Sequence, residues 1–230
     1  MNSLQRSDLL LQSTYSRRSS ISSYFRKLED FPIILNHEIT LDIMRHAQTI
    51  NNGNGLITGA YDVSLSKEGA KQTANLAYSI KHNYDIAWTS TLKRSQETLQ
   101  ILLDSNNISI NTIYQDQRLN ERSLGILENK PKRPIEEFSK GDFLYKPDGG
   151  ENYLSVTKRS MSFLLDVFNY ARNVDRPLTI LLCIHMGTMR IISSILKGLE
   201  NPQLVLNLSF KNTEIVRIKT KTLDLPKFIL

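Results

Sequence analysis

Four residues of this chain have the chemistry to handle an oxyanion: His46, Arg94, Glu121 and His185. His46 stands in Met44-Arg45-His46-Ala47-Gln48-Thr49. A neutral imidazole can attack phosphorus and form a phosphoramidate, provided one ring nitrogen is held by a hydrogen bond and the other is aimed. Arg45 beside it disfavours imidazolium and offers planar donors to phosphate oxygens. Arg94, in Thr89-Ser90-Thr91-Leu92-Lys93-Arg94, could clamp a phosphoryl group and neutralise its charge. Glu121, in Leu119-Asn120-Glu121-Arg122, supplies a carboxyl group that could protonate a departing alkoxide and then activate water. His185, in Cys183-Ile184-His185-Met186-Gly187-Thr188, could donate to phosphate oxygens at a helix start whose N–H groups favour an anion. Each also has a plain structural alternative. These are a surface Arg-His pair, a solvated helix arginine, a loop salt bridge from Glu121 to Arg118 or Arg122, and a capped core histidine.

Position decides between them. Ile39 to Met44 is a short apolar run ending in a polar loop, which predicts a buried strand. Residues 51–59 hold three glycines and three asparagines and read as a loop. A helix is expected from Ser66 to about His82, with Ala70, Ala74, Ala77 and Ile80 at helical spacing. Strands are expected at Asp85–Thr89, within Ile108–Tyr114 and at Leu178–Ile184. Helices are expected at Thr91–Asp104, from Glu151 to about Asn173, and at Thr188–Leu196. Asn212–Lys219 closes the chain as a strand. Alternating strands and helices predict an α/β three-layer sandwich, with a mostly parallel central sheet and helices on both faces. Ligands of such sheets sit beyond the carboxyl ends of strands, where His46 and His185 both fall.

Residues 1–36 differ from the rest. Eight serines lie in the first 23 positions among scattered arginines, and acidic residues are few. This reads as a disordered arm with a short helix at Leu9–Leu11, or as an organelle-targeting segment, ahead of a domain at 37–230. No apolar run approaches the roughly 18–20 residues that span a bilayer. The net charge of +6 suits an anionic substrate, and no basic stripe interleaved with aromatics points to nucleic acid. The single cysteine fits a reducing compartment, the cytoplasm being the simplest expectation. The four histidines lack metal-ligand spacing, so no metal is expected. Cys183 and Arg190 raise a cysteine-phosphatase reading. Six residues separate them where that phosphate loop needs five, and Cys183 falls inside an apolar strand.

Four blocks in order, MRHAQTINN, TSTLKRSQET, RLNERSLG and IHMGTMR, make the chain resemble the histidine phosphatase superfamily, the phosphoglycerate-mutase-like fold. The likeness runs from about Ile39 to Lys219. It implies His46 as nucleophile, Arg45, Arg94 and His185 around the phosphate, and Glu121 as general acid/base, with no metal or cofactor. Asn52 and Thr58 match further phosphate-contacting positions. Arg122, Lys130, Lys132 and Arg133 are additional candidates for substrate contact, the three cations after Glu121 for a second anionic group. Ala47, Met186, Leu124, Leu127 and Asn129 depart from the family pattern and bear on substrate choice. The 64 residues from Glu121 to His185 resemble the compact phosphatases, which makes hydrolysis of a small phosphomonoester the expected outcome. A phosphoprotein substrate, mutase-type transfer, and a catalytically silent binding module on the same fold are the alternatives.

Overall fold

The computed structural model of the chain describes residues 31–105, 108–132, 142–226 and 228. Most of the Ser/Arg-rich arm, with its expected helix at Leu9–Leu11, and Arg133 with Pro134 lie outside them.

The strands are β1 (Ile33–Arg45), β2 (Tyr84–Thr89), β3 (Ile110–Gln115), β4 (Leu178–Ile184) and β5 (Ile215–Leu223). The helices are α1 (Ile50–Gly53), α2 (Lys67–Ser79), α3 (Lys93–Asp104), α4 (Tyr153–Arg172), α5 (Met186–Leu196) and α6 (Pro202–Asn207). The sheet order is β3-β2-β4-β1-β5, parallel except for β5, which runs antiparallel to β1. The apolar run of β4, interrupted only by Thr179, follows from its central place, since its side chains are buried on both faces. Ile180, Leu182 and Ile184 join Ile39, Leu41 and Ile43 in one cluster with Val156, Phe163, Leu164, Ile191 and Ile192 of α4 and α5. Leu181 and Cys183 join Met44, Ala77, Ala87, Leu99 and Leu102 in a second, beneath α2 and α3. Two apolar layers on one sheet make the expected three-layer sandwich.

Several boundaries move. β1 begins at Ile33, inside the arm drawn at 1–36, with Ile33 and Leu35 buried. Its early part pairs with Thr222 and Leu223 of β5, and an irregularity between Ile34 and Ile39 breaks the alternation that marks a strand. The closing strand starts at Ile215, because Asn212 and Thr213 form a turn in which Thr213 takes φ of 63°. α1 and α6 are too short for any period to announce them. α1 is fixed instead by a capping box, in which the Thr49 side chain accepts from the Asn52 N–H and the Asn52 side chain from the Thr49 N–H.

Asp42 is the polar residue that the apolar reading of β1 passes over. It is buried, and its carboxylate accepts from Tyr84 Oη at 2.8 Å and from Arg217 Nε and Nη2 at 2.8 Å each, with His82 Nε2 3.0 Å away. Burial opposes its ionisation. The bonds from Arg217, Tyr84 and His82 outweigh that and hold the carboxyl below its ordinary range.

Candidate active site

Sheet register brings the candidate residues together. Arg45 lies opposite Ile184 and Thr89 opposite Cys183, so His46, Ser90 and His185 leave three adjacent strands at one edge. The rings of His46 and His185 are 5.1 Å apart, and both residues are buried, as is Arg94.

His46 is aimed by its own backbone. Its Nδ1 donates to the Ala47 carbonyl at 2.7 Å, and a carbonyl can only accept, so the proton is on Nδ1 and Nε2 keeps its lone pair. The loop that holds it is pinned on several sides. His46 N donates to Ile184 O at 2.8 Å, Asn212 Nδ2 to His46 O at 2.8 Å, and Ala47 N to Thr98 Oγ1 at 3.1 Å. The α2 N-terminus presses on the same loop. A Cβ on Gly69 would stand 2.0 Å from the Gln48 carbonyl oxygen, so only glycine allows that approach.

Arg94 is wholly buried, and three of its five N–H groups are bonded within the protein, one on each nitrogen. Nη2 donates to Gly59 O at 2.7 Å, Nη1 to Tyr61 O at 2.9 Å, and Nε to His185 Nδ1 at 3.1 Å. Burial pushes its pKa down to about 10, with Glu121, Asp62 and Glu128 opposing the shift, so it remains charged at neutral pH. Arg45 donates through Nη1 to Phe210 O at 2.7 Å, while its Nε is buried with no partner.

Glu121 sits at the N-terminus of α5. Gly187 N donates to its Oε1 at 2.9 Å and its Oε2 at 3.1 Å, and Arg122 N donates to Oε1 at 2.8 Å. A Cβ on Gly187 would come within 2.4 Å of Oε1, so a larger residue there would displace the Glu121 carboxyl group. The carboxylate is close enough to Arg45 and Arg94 to offset their charge. The Thr58 hydroxyl is buried without a partner, next to the Gly59 carbonyl held by Arg94. Asn52 spends its carbonyl oxygen on the α1 cap.

Arg122 is tied to the backbone of two neighbouring segments. It is buried, donates from Nε to Glu151 O and from Nη2 to Tyr145 O at 2.8 Å each, and lies 4.5 Å above the Tyr153 ring. Lys130 and Lys132 flank Pro131 in a short pairing with residues 55–57. Ile57 N donates to Lys130 O at 2.9 Å and Lys132 N to Gly55 O at 2.8 Å. Burial and the charge of Arg45 lower the Lys132 ammonium pKa, which places Lys132 on the Arg45 side of the site. Arg133 lies outside the described residues. Met186 packs on the main core cluster. Cys183 is buried, its thiol donates to Ser95 O, and burial pushes its pKa up, which leaves no thiolate for a cysteine nucleophile.

Other residues that hold the site carry weaker sequence signals. Glu128 accepts from Ala60 N at 2.8 Å and Leu124 N at 2.7 Å, tying together the loops on either side of Arg94. The Asn120 side chain accepts from Thr91 N and its carbonyl accepts from Thr188 Oγ1. Ser95 and Thr98 do have a legible signal, as polar residues on the buried stripe of α3 with Leu99 and Leu102. Asn212 has none, because its partner is 166 residues away.

Both site histidines are held neutral, well below the ordinary 6.5. Burial is the largest cause for each, followed by Arg94 and Arg45 for His46 and by Arg94 and His46 for His185. The contribution of Arg45 expected from sequence is thus third in rank. Unfolded chains bind protons at these positions as pH falls through 6.5, and the folded protein does not. Stability therefore is fully present above 6.5 and declines as pH drops below it. Urea unfolding should show a lower midpoint at pH 5.5 than at pH 7.5, with a smaller difference in His46→Asn. A midpoint that rises on acidification contradicts this.

Residues 41–223 match the model of the histidine phosphatase superfamily, branch 1. The chain is 30% identical over 177 residues to a 2,3-bisphosphoglycerate-dependent phosphoglycerate mutase of Mesorhizobium japonicum, covering 72% of this chain and 85% of that protein. A mutase of the same name from Bartonella quintana is 25% identical over the same shares. Among solved structures, phosphoglycerate mutase from Bacillus anthracis superposes with a TM-score of 0.67 at 19% identity, over 83% of this chain and 92% of that one. A mycobacterial glucosyl-3-phosphoglycerate phosphatase superposes with a TM-score of 0.66 at 22% identity, over 79% and 90%. With the family model spanning the sheet and the buried His46–Arg94–His185 cluster at its edge, the chain belongs to the histidine phosphatase superfamily, whose relatives include both mutases and phosphatases.

Proposed function

We propose that the chain is a phosphomonoester hydrolase working through a phosphohistidine on His46. One observation carries this reading: next in chain to a neutral His46 whose Nε2 is bonded to nothing among the described residues, Arg45 has a buried Nε without a partner, and Thr58, next to the Gly59 that Arg94 holds, has a buried hydroxyl without one. Buried donors are normally satisfied, and a tetrahedral oxyanion satisfies donors of this kind. His46 Nε2 attacks phosphorus as the ester P–O bond breaks, and Glu121, which takes up a proton with the incoming phosphomonoester monoanion, passes it to the leaving oxygen. Ala47 O steadies the Nδ1–H of the phosphorylated ring. Glu121 then accepts a proton from water as its oxygen attacks phosphorus, releasing orthophosphate and regenerating both groups.

Leaving-group dependence tests the role of Glu121. Glu121→Gln should lower kcat/KM on alkyl phosphates by about 10²-fold or more, and much less on p-nitrophenyl phosphate, whose leaving group needs little help. Equal losses on both would remove Glu121 as the proton donor. Lys132, exposed and near enough to Arg45 to feel its charge, supports a substrate with a second anionic group. Lys132→Ala should raise KM about tenfold for phosphoglycerate-like substrates and leave that for p-nitrophenyl phosphate within twofold. An unchanged KM for both dismisses the contact. The names of the relatives favour a second reading, mutase-type transfer. Phosphoryl exchange between 2- and 3-phosphoglycerate outpacing release of orthophosphate would establish that reading in place of hydrolysis.

A further inference from the structure

We infer that Ser90 and Ser95 are positioning residues, holding His185 as the Nε2–H tautomer so that its Nδ1 lone pair orients the guanidinium of Arg94. The inference rests on the phosphoryl-transfer reading of the site. It follows from which atoms can donate. Arg94 Nε carries a proton and has no lone pair to offer, so its 3.1 Å contact makes His185 Nδ1 the acceptor. The ring proton is then on Nε2, which donates to Ser90 Oγ at 2.7 Å. Ser90 Oγ also accepts from Leu92 N at 3.1 Å, so its own proton goes to Ser95 Oγ, 2.6 Å away. Ser95 accepts from Thr89 Oγ1 at 2.8 Å as well, and its proton closes the circuit on Leu92 O at 2.9 Å. All four side chains are buried, and every hydrogen in the network has one consistent direction.

With its two nitrogens bonded to Ser90 and Arg94, His185 acts through Arg94 and sets the plane of that guanidinium. The two histidines thereby hold opposite tautomers, Nδ1–H on His46 and Nε2–H on His185. Removing a residue that fixes the tautomer and orientation of a functional histidine changes activity by about 10- to 100-fold.

Imidazole nitrogen spectra of the ¹⁵N-labelled full chain at neutral pH, assigned with His37→Gln and His82→Gln, read the tautomers directly. The expected result is Nδ1–H for one buried histidine and Nε2–H for the other, with His185→Gln removing the latter. Ser90→Ala and Ser95→Ala should each shift His185 toward mixed tautomers. They should lower kcat on p-nitrophenyl phosphate about 10-fold or more, with KM within twofold. Ser95→Ala is the milder change and carries the test if Ser90→Ala does not fold. An Nδ1–H signal from His185 in the wild type overturns the inference, as does a wild-type kcat in folded Ser95→Ala. Wild-type protein inert on every phosphomonoester would instead overturn the function reading, a result the tautomer spectra do not mimic.

Discussion

His46→Ala should abolish turnover of every phosphomonoester the wild type accepts, by at least about 10⁴-fold, and leave the fold intact. The loss is large because, in the proposed mechanism, the imidazole makes the bond to phosphorus, and no other nucleophile stands ready among the described residues. The thiol of Cys183 is buried within β4 and protonated. The Nδ1 of His185 receives Arg94 Nε. The fold should tolerate the change, because the anchors of this loop are main-chain bonds at His46 N, His46 O and Ala47 N, which alanine keeps. The His46 side chain makes one hydrogen bond, to the adjacent carbonyl. Steady-state rates, with circular dichroism as the control for folding, check both halves. A variant keeping a few per cent of wild-type turnover would show that the nucleophile lies elsewhere.

Arg94→Lys is expected to lower kcat by about 10³-fold and to destabilise the protein by about 3 kcal/mol. Lysine keeps the charge but not the planar fork. The guanidinium spans the Gly59 carbonyl, the Tyr61 carbonyl and the His185 ring, and one ammonium cannot reach all three in those directions. Buried carbonyls left without donors account for the stability loss, and a displaced 58–61 loop and an unanchored His185 account for the rate loss. Urea midpoints and kcat measured on the same preparation separate the two effects. A wild-type kcat in Arg94→Lys would mean that charge alone suffices and that the geometry described here is incidental.

Much of this architecture is legible in local sequence because it depends on local physics. β4 is read at its observed ends, since a seven-residue run, apolar but for Thr179 and buried on both faces, has no competing period. The start of α2 is read from Ser66, whose side chain caps the Gly69 N–H. What escapes is set by partners far along the chain. Asp42 looks like an interruption of an apolar strand until Arg217, 175 residues later, pairs with it across β5. Arg122 resembles Arg45 and Arg94 in its motif, yet its guanidinium closes on Glu151 O and Tyr145 O. His185 is found by its motif just past β4, but the atoms it uses are fixed by Ser90 and Arg94, on other strand ends and helix starts. Motif order finds the members of a site. The division between substrate contacts and residues that hold them appears only when each donor is matched to its acceptor.

The central claim is a covalent bond between phosphorus and Nε2 of His46. Rapid quenching of the protein during turnover of a ³²P-labelled phosphomonoester, followed by peptide mapping, tests it most directly. The expected result is one acid-labile, alkali-stable label on the peptide carrying His46, absent from His46→Ala and accumulating in Glu121→Gln when the leaving group is p-nitrophenol. Unimpaired turnover by His46→Ala, or a label mapped to any residue other than His46, would contradict the account.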